Sequence, residues 1–162
     1  KRYNGNLRVF LGSSTKKKDT LRFKKDLNKE KKMITDIKTF QKKVNNWKIK
    51  KKNYLIKLTK KLGPLPAKAF PGRASILIHL LQLNNKIISS IYEKDFSLKV
   101  NKYVPGTNIK ILKEKFFTKK ERNKGLIINL AWHISSEIKS YLKNKMKYKG
   151  KIIDIISIKD FQ

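Results

Sequence analysis

The sequence predicts an α/β fold: a mostly parallel sheet with helices on both faces, preceded by a long amphipathic helix. Three observations predict it. Gly125-Leu126-Ile127-Ile128-Asn129-Leu130-Ala131 is a near-continuous apolar run, which suits the middle of a parallel sheet covered on both sides. From Leu65 onward, strand-like runs alternate with helical ones through short connections, the pattern of parallel crossovers. Before Leu65, apolar residues recur at steps of three and four over some seven turns, the period of one long helix.

The elements follow in order. Residues 6–12 read as a short strand, and Ser13 to Asp19 as a polar, lysine-rich loop. Residues 19–33 are expected to be helical, with Leu21, Phe23, Leu27 and Met33 as weakly periodic apolar points. Thr35 is expected to cap the long helix. Its stripe is Ile37, Phe40, Val44, Trp47, Tyr54, Leu55, Leu58 and Leu62, with one missing step at Lys51. Gly63-Pro64 ends it. The stripe either packs on its own domain or meets a partner helix. Leu65 to Phe70 should be a strand, with Pro66 at a strand start or a sheet edge because it cannot donate to a ladder. Ile76 to Leu83 is apolar on nearly every side, so a helix there is expected to be covered all round, with Ser75 as its cap. Asn84-Asn85 is a turn. Residues 86–93 form a second strand, 94–105 a polar loop, 108–112 a third strand, and 114–122 a short helix or turn. After the apolar run at 125–131, a helix presents Ile134, Ile138, Tyr141 and Leu142 on one face. Gly150 ends the next turn, and residues 152–158 form the last strand. No internal repeat is visible.

Composition narrows the function classes. The chain has 162 residues and no cysteine, which excludes a disulfide frame and a thiolate zinc site within it. No apolar run approaches the length of a membrane span, and no signal peptide is visible, so a cytoplasmic location is expected. The chain begins with Lys1, which reads as a piece of a longer protein. The formal charge is +31, a property of nucleic-acid binders. Arginine, however, supplies only five of the 42 basic residues, at positions 2, 8, 22, 73 and 122. Base-edge readers and phosphate clamps favour arginine's planar fork. The lysines are spread over every polar face, as a solvated surface would have them.

Chemistry-bearing candidates are few. In open parallel sheets, ligands sit beyond the carboxyl ends of the strands. Three stretches would meet there: 70–75, 93–107 and 131–135. The first, Phe70-Pro71-Gly72-Arg73-Ala74-Ser75, feeds the apolar helix. Free N–H groups at such a helix start and the fork of Arg73 would make an anion site; otherwise this is an ordinary strand–helix turn with an exposed arginine. In the second, Pro105-Gly106-Thr107 sets a tight turn, and Lys99 and Lys102 supply cationic donors. With Arg73 they could hold a diphosphate, while Tyr103 or Trp132 lies against a ring; otherwise it is a lysine-rich loop closed by a proline–glycine turn. In the third, His133 follows the apolar strand beside Trp132 and is the one candidate for a catalytic group. His79, inside the apolar helix, reads as core or partly covered. No metal-ligand spacing, carboxylate pair, Ser/His/Asp order or glycine-rich cofactor loop is present, so the chain does not read as a self-sufficient enzyme.

Taken in order, these residues are similar to the C-terminal domain of S-adenosylmethionine-dependent sugar C-methyltransferases. The similarity runs from Asn4-Gly5-Asn6-Leu7-Arg8-Val9 to the last strand. Residues 67–75 stand where the family has a small-residue turn ending in a basic residue. Leu77 to Leu81 resembles the leucine-rich helix behind that turn. Glu93, with Lys99 to Ile109, resembles its lysine–tyrosine–Pro-Gly-Thr segment. Leu130-Ala131-Trp132-His133-Ile134, with Glu137-Ile138, resembles its leucine–alanine–tryptophan strand end. The chain departs from the family at Tyr3-Asn4, where His-Gly is usual, at Lys68-Ala69, which replaces an aromatic–glycine pair, and at Asn101, which replaces a glycine.

The resemblance implies a Rossmann-like domain that helps hold a nucleotide sugar, usually a dTDP-linked deoxysugar. Residues 1–18 would be strand and loop joining to an upstream methyltransferase domain, 19–63 a helical segment, and 64–162 the substrate-binding domain. A zinc-binding part and the domain that binds S-adenosylmethionine would precede Lys1, so this piece alone is expected to be inactive. The implied substrate contacts are Arg73, Ser75, Lys99, Tyr103, Gly106, Thr107, Trp132 and His133. Two other readings compete: a non-enzymatic nucleic-acid binder using lysine faces, and an interaction module docking through the helix at 35–62.

Overall fold

A computed structural model describes residues 20–161. The strand expected at 6–12 and the loop at 13–19 lie outside the described residues. The chain divides into two compact units, Lys1–Asn46 and Trp47–Gln162.

In the first unit, α1 spans Thr20–Thr35 and α2, Ile37–Leu62, begins. Thr35 is the last residue of α1, not the cap of α2. Backbone hydrogen bonding runs through the junction, from the Asp36 N–H to the Lys32 carbonyl and from the Phe40 N–H to the Asp36 carbonyl. A continuous ladder leaves no helix start for Thr35 to cap. Met33, Ile37 and Phe40 are exposed.

The second unit holds the sheet. Its strands are β1 Leu65–Lys68, β2 Ile88–Glu93, β3 Lys110–Lys113, β4 Leu126–Asn129 and β5 Lys151–Asp154. All pair in parallel, in the order β3-β2-β1-β4-β5. Helices α3 (Ala74–Leu80), α4 (Lys119–Asn123) and α5 (Ser135–Asn144) lie in the crossovers. The five strands and the α/β class agree with the sequence.

Two apolar clusters cover the sheet's two faces. One gathers Leu65 and Ala67 of β1, Leu126 and Ile128 of β4, Leu77 and Ile78 of α3, and Trp47 and Leu55 of α2. The other gathers Tyr92, Phe117, Ile127, Leu142 and Tyr148. Neighbours Ile127 and Ile128 serve opposite clusters, as the two-residue period of a strand requires. Trp47 and Leu55 therefore pack the C-terminal half of α2 on its own domain. The chain's end returns to that helix: Phe161 stacks on Trp47 with ring centroids 5.9 Å apart, and Lys51 pairs with Asp160 at 2.7 Å.

Two expectations fail here, and a third takes one of its two forms: Pro66 is the second residue of β1, near the strand start, and not at a sheet edge, because β1 is central. The β1–β2 register shifts between Leu65 and Ala67, and pairing to β4 starts only at Ala67, so no ladder asks Pro66 for an N–H. Helix α3 is covered on one side only. Leu77 and Ile78 are buried, but Ile76 is 66% exposed, because seven residues give the helix one packed face. Ser75 is not its cap: Arg73 holds that position without a side-chain cap bond, and the Ser75 hydroxyl donates to the Gly72 carbonyl at 2.8 Å.

Candidate functional site

The strand order creates a switch point. From β1 the chain moves outward through β2 to β3, then crosses back to β4 and outward to β5. The crevice beyond the carboxyl ends of β1 and β4 is where such sheets take ligands.

Two polar residues stand at that crevice, and the sequence reading missed both. Among the described residues, the buried polar side chains are Lys68 and Asn129, 3% and 0% exposed. They are register partners and the last residues of β1 and β4. Register extends the row on either side, to Tyr92 on β2 and Asp154 on β5. Lys68 follows Ala67, which faces the first cluster, so its side chain emerges on the other face, toward α5.

Each end of this row is closed by charge. The Lys68 ammonium pairs with Glu114, just past β3, and the Tyr141 hydroxyl of α5 donates to the same carboxylate. That bond, then burial and the Glu114 and Asp95 charges, raises the Tyr141 phenol to about 12. On the other side, the Asn129 amide donates to Asp154 at 2.7 Å and its oxygen accepts the Ala131 N–H at 2.9 Å. Asp154 also accepts from Ser135 at 2.8 Å and Lys139 at 2.6 Å. Asn129 thereby fixes the turn that carries Trp132 and His133. Burying such groups is tolerable only because each is paired.

Seven of the eight expected contact residues stand in the connections that follow β1, β2 and β4, and Ser75 stands in the first turn of α3. Lys99 reaches back to the turn after β1, donating to the Phe70 carbonyl at 2.6 Å, with its ammonium 5.8 Å from the Phe70 ring centre. Arg73 is exposed in that same turn. Gly106 has φ +67, and a Cβ there would come within 2.9 Å of His79. His79 is exposed, not core, and its Nε2 donates to the Pro105 carbonyl at 2.8 Å, tying α3 to the Pro-Gly-Thr turn. Thr107 closes that turn: its hydroxyl donates to the Val104 carbonyl and accepts the Ile109 N–H. Tyr103 is 56% exposed and bridges to Lys110. Trp132 packs against the first cluster, with its ring centre 5.6 Å from that of His133 in an edge-on arrangement.

Three N–H groups of the expected cradle after β1 are already in use. Phe70 N–H is held by the Glu93 carboxylate. Ala74 and Ser75 N–H groups bond to Pro71 and Gly72 carbonyls at 2.8 and 3.3 Å. Two of the noted departures from the family occupy glycine's conformation: Ala69 has φ +63 and Asn101 φ +64, the left-handed region that L-residues avoid. Zinc does not fit here, since the chain has no cysteine and no three His, Asp or Glu side chains cluster among the described residues. No described helix is long and apolar enough to cross a membrane.

A family model described as the C-methyltransferase C-terminal domain matches residues 2–156. The chain belongs to that family. No curated protein and no solved structure gives a match. As a C-methyltransferase C-terminal domain, the chain has loops at the carboxyl edge of its sheet that the sequence similarity already singled out. Its buried Lys68 and Asn129 lie directly beneath them.

Proposed function

We propose that this C-methyltransferase C-terminal domain binds the substrate, a nucleotide sugar of the dTDP-deoxysugar kind, for an S-adenosylmethionine-binding domain elsewhere in the same protein. The observation that carries the reading is the approach of Lys99 to the turn holding Arg73, at the switch point of the sheet. Two cations on adjoining loops suit a diphosphate, and the surplus of +31 raises the local concentration of any dianion. Tyr103, Trp132 and His133 would border the ring end, while Ser75, Gly106 and Thr107 shape the two turns. Lys68 and Asn129 hold the strand ends that present these loops.

Calorimetric titration of the 162-residue chain with dTDP and a dTDP-sugar tests this. Expected is saturable binding, on the order of micromolar to millimolar, or about 4–8 kcal/mol, weakened by Arg73→Ala and by Lys99→Ala. A folded chain that binds neither compound refutes it. The high charge also favours a second reading, nucleic-acid binding. There, affinity for any duplex would fall steeply with log salt and be indifferent to Arg73→Ala.

A further inference from the structure

The first unit carries an exposed apolar seam. Met33, Ile37, Phe40 and Val44 recur at steps of four, three and four, the a and d positions of a heptad. The hydrogen-bond ladder running through Asp36 keeps them on one face. Met33, Ile37 and Phe40 are each more than half exposed, and among the first unit's described side chains none is buried. The next step of the seam, Trp47, is buried in the first cluster of the second unit. We propose that residues 29–44 are a docking seam for an acidic amphipathic helix of a partner protein, which completes a short two-helix coiled coil there.

The spacing selects a helix as the occupant. A seam with one apolar residue every three or four is narrow, and the width of one partner helix covers it. A helix lying on a membrane presents a broader apolar face, whereas here Asp36 and Thr39 line the groove beside the seam. The groove has a volume of about 750 Å³. From Lys29 to Lys43 it is about 21 Å long at 1.5 Å per residue, or about four turns. Helices draw most of their stability from packing of an apolar face, so this one gains from being covered.

Charge selects which helix. The flanking g positions are Lys29, Asp36 and Lys43, and all three line the groove. Flanking charges set partner choice in coiled coils. A second copy laid antiparallel would set Lys29 against Lys43 and Asp36 against Asp36. Laid parallel, it would set Lys43 against Lys48. Like charges so placed oppose pairing. Residues 1–19 match no better, with six basic residues and one acidic. A partner helix with glutamates beside its own seam meets both lysines. Lys29 already pairs with Asp26 at 3.4 Å, but both side chains are more than half exposed, and such a pair is weak enough to yield.

The test uses the 162-residue chain and a synthetic peptide of about three heptads, with leucine at a and d and glutamate at e and g. The controls are the same residues in scrambled order and a peptide with lysine at e and g. By calorimetry, the patterned glutamate peptide should bind one to one, at least about tenfold tighter than its scrambled form. The helical circular-dichroism signal of the mixture should exceed the sum of its components. Ile37→Ser/Phe40→Ser should weaken binding at least about tenfold. Lys29→Glu/Lys43→Glu should cut the preference for glutamate over lysine flanks by a similar factor, while Lys38→Glu/Lys42→Glu, the same charge change at b and f positions, should leave it nearly intact. Equal binding of the scrambled peptide overturns the proposal, since the net charge of +31 would then account for it. So does a dimer of the chain that Ile37→Ser/Phe40→Ser dissociates in sedimentation. So, too, does binding to phosphatidylserine vesicles that responds to that substitution when peptide binding does not.

Discussion

Replacing Lys68 by methionine should unsettle the whole carboxyl edge of the sheet. The side chain of Lys68 is 4% exposed and that of Glu114 15%, so the pair is nearly withdrawn from water. Methionine keeps the length and the apolar stem but removes the charge, and Glu114 is left in place. Removing one partner of a buried pair costs about 3–5 kcal/mol. Glu114 retains the Tyr141 hydrogen bond and some solvent, which brings the expected loss to about 2–3 kcal/mol. That is a large part of the roughly 5–15 kcal/mol that holds a domain together. Urea unfolding at neutral pH, followed by tryptophan fluorescence, would show it as a lower midpoint at unchanged slope. The double variant Lys68→Met/Glu114→Gln, in which no charge is stranded, should recover to within about 1 kcal/mol of the parent. In Glu114→Gln the Tyr141 phenol also loses its largest perturbation and should titrate back from about 12 toward its ordinary value. A single-variant loss under about 0.5 kcal/mol, or a double variant as unstable as the single, would refute the buried-pair account.

Three further outcomes are expected. Ala69→Gly should raise stability by about 0.5–1 kcal/mol, because φ +63 costs alanine more than glycine's extra chain entropy does; an unchanged or lower urea midpoint would show that Ala69 is not strained. Gly106→Ala should lower stability by about 1–2 kcal/mol through its φ of +67 and the approach to His79, and adding His79→Ala should return part of the lost melting temperature. At high pH the fold should loosen. Burial raises Tyr92 to about 12, with the Glu121 charge adding to it, and burial alone raises Tyr148 to about 12. Folding keeps these phenols protonated. Their contribution is therefore complete below pH 10 and is lost as pH climbs through 10 to 12; an ultraviolet titration in which both ionise near 10 while the chain is folded would contradict this.

Most of the fold was legible because it is written in short-range periodicity. Leu126 to Asn129 read as part of an inner strand, and of the stripe along α2 Trp47 and Leu55 are buried while Ile37, Phe40, Tyr54 and Leu62 are exposed. What misled was local chemistry read without its neighbours. Pro66 was expected at a strand start or a sheet edge; that it stands near the start of a central strand is eased by a register shift against β2, more than twenty residues away. Ile76 looked buried because an apolar octet reads as a covered helix until its length is known to be seven residues. The loops of the candidate site were proposed from the turn at Pro105-Gly106-Thr107 and the arginine at 73.

Lys68 and Asn129 were not found, and the reason is physical. A lysine among so many carries no signal alone, and its partner Glu114 lies 46 positions on. Asn129 was read as one polar residue inside the apolar run from Gly125 to Ala131. In the structure each is the single polar residue closing an otherwise apolar strand, in Leu65-Pro66-Ala67-Lys68 and in Leu126-Ile127-Ile128-Asn129. The carboxyl end of a central parallel strand is where a buried polar group can still meet charge from the following loop. Elsewhere in the strand it would be walled in by both apolar clusters and stranded at a cost of several kcal/mol. In the structure the polar ends of β1 and β4 stand side by side at the switch point. The loops above it then inherit a fixed base, which is what a site on mobile connections needs in order to hold a ligand in one pose.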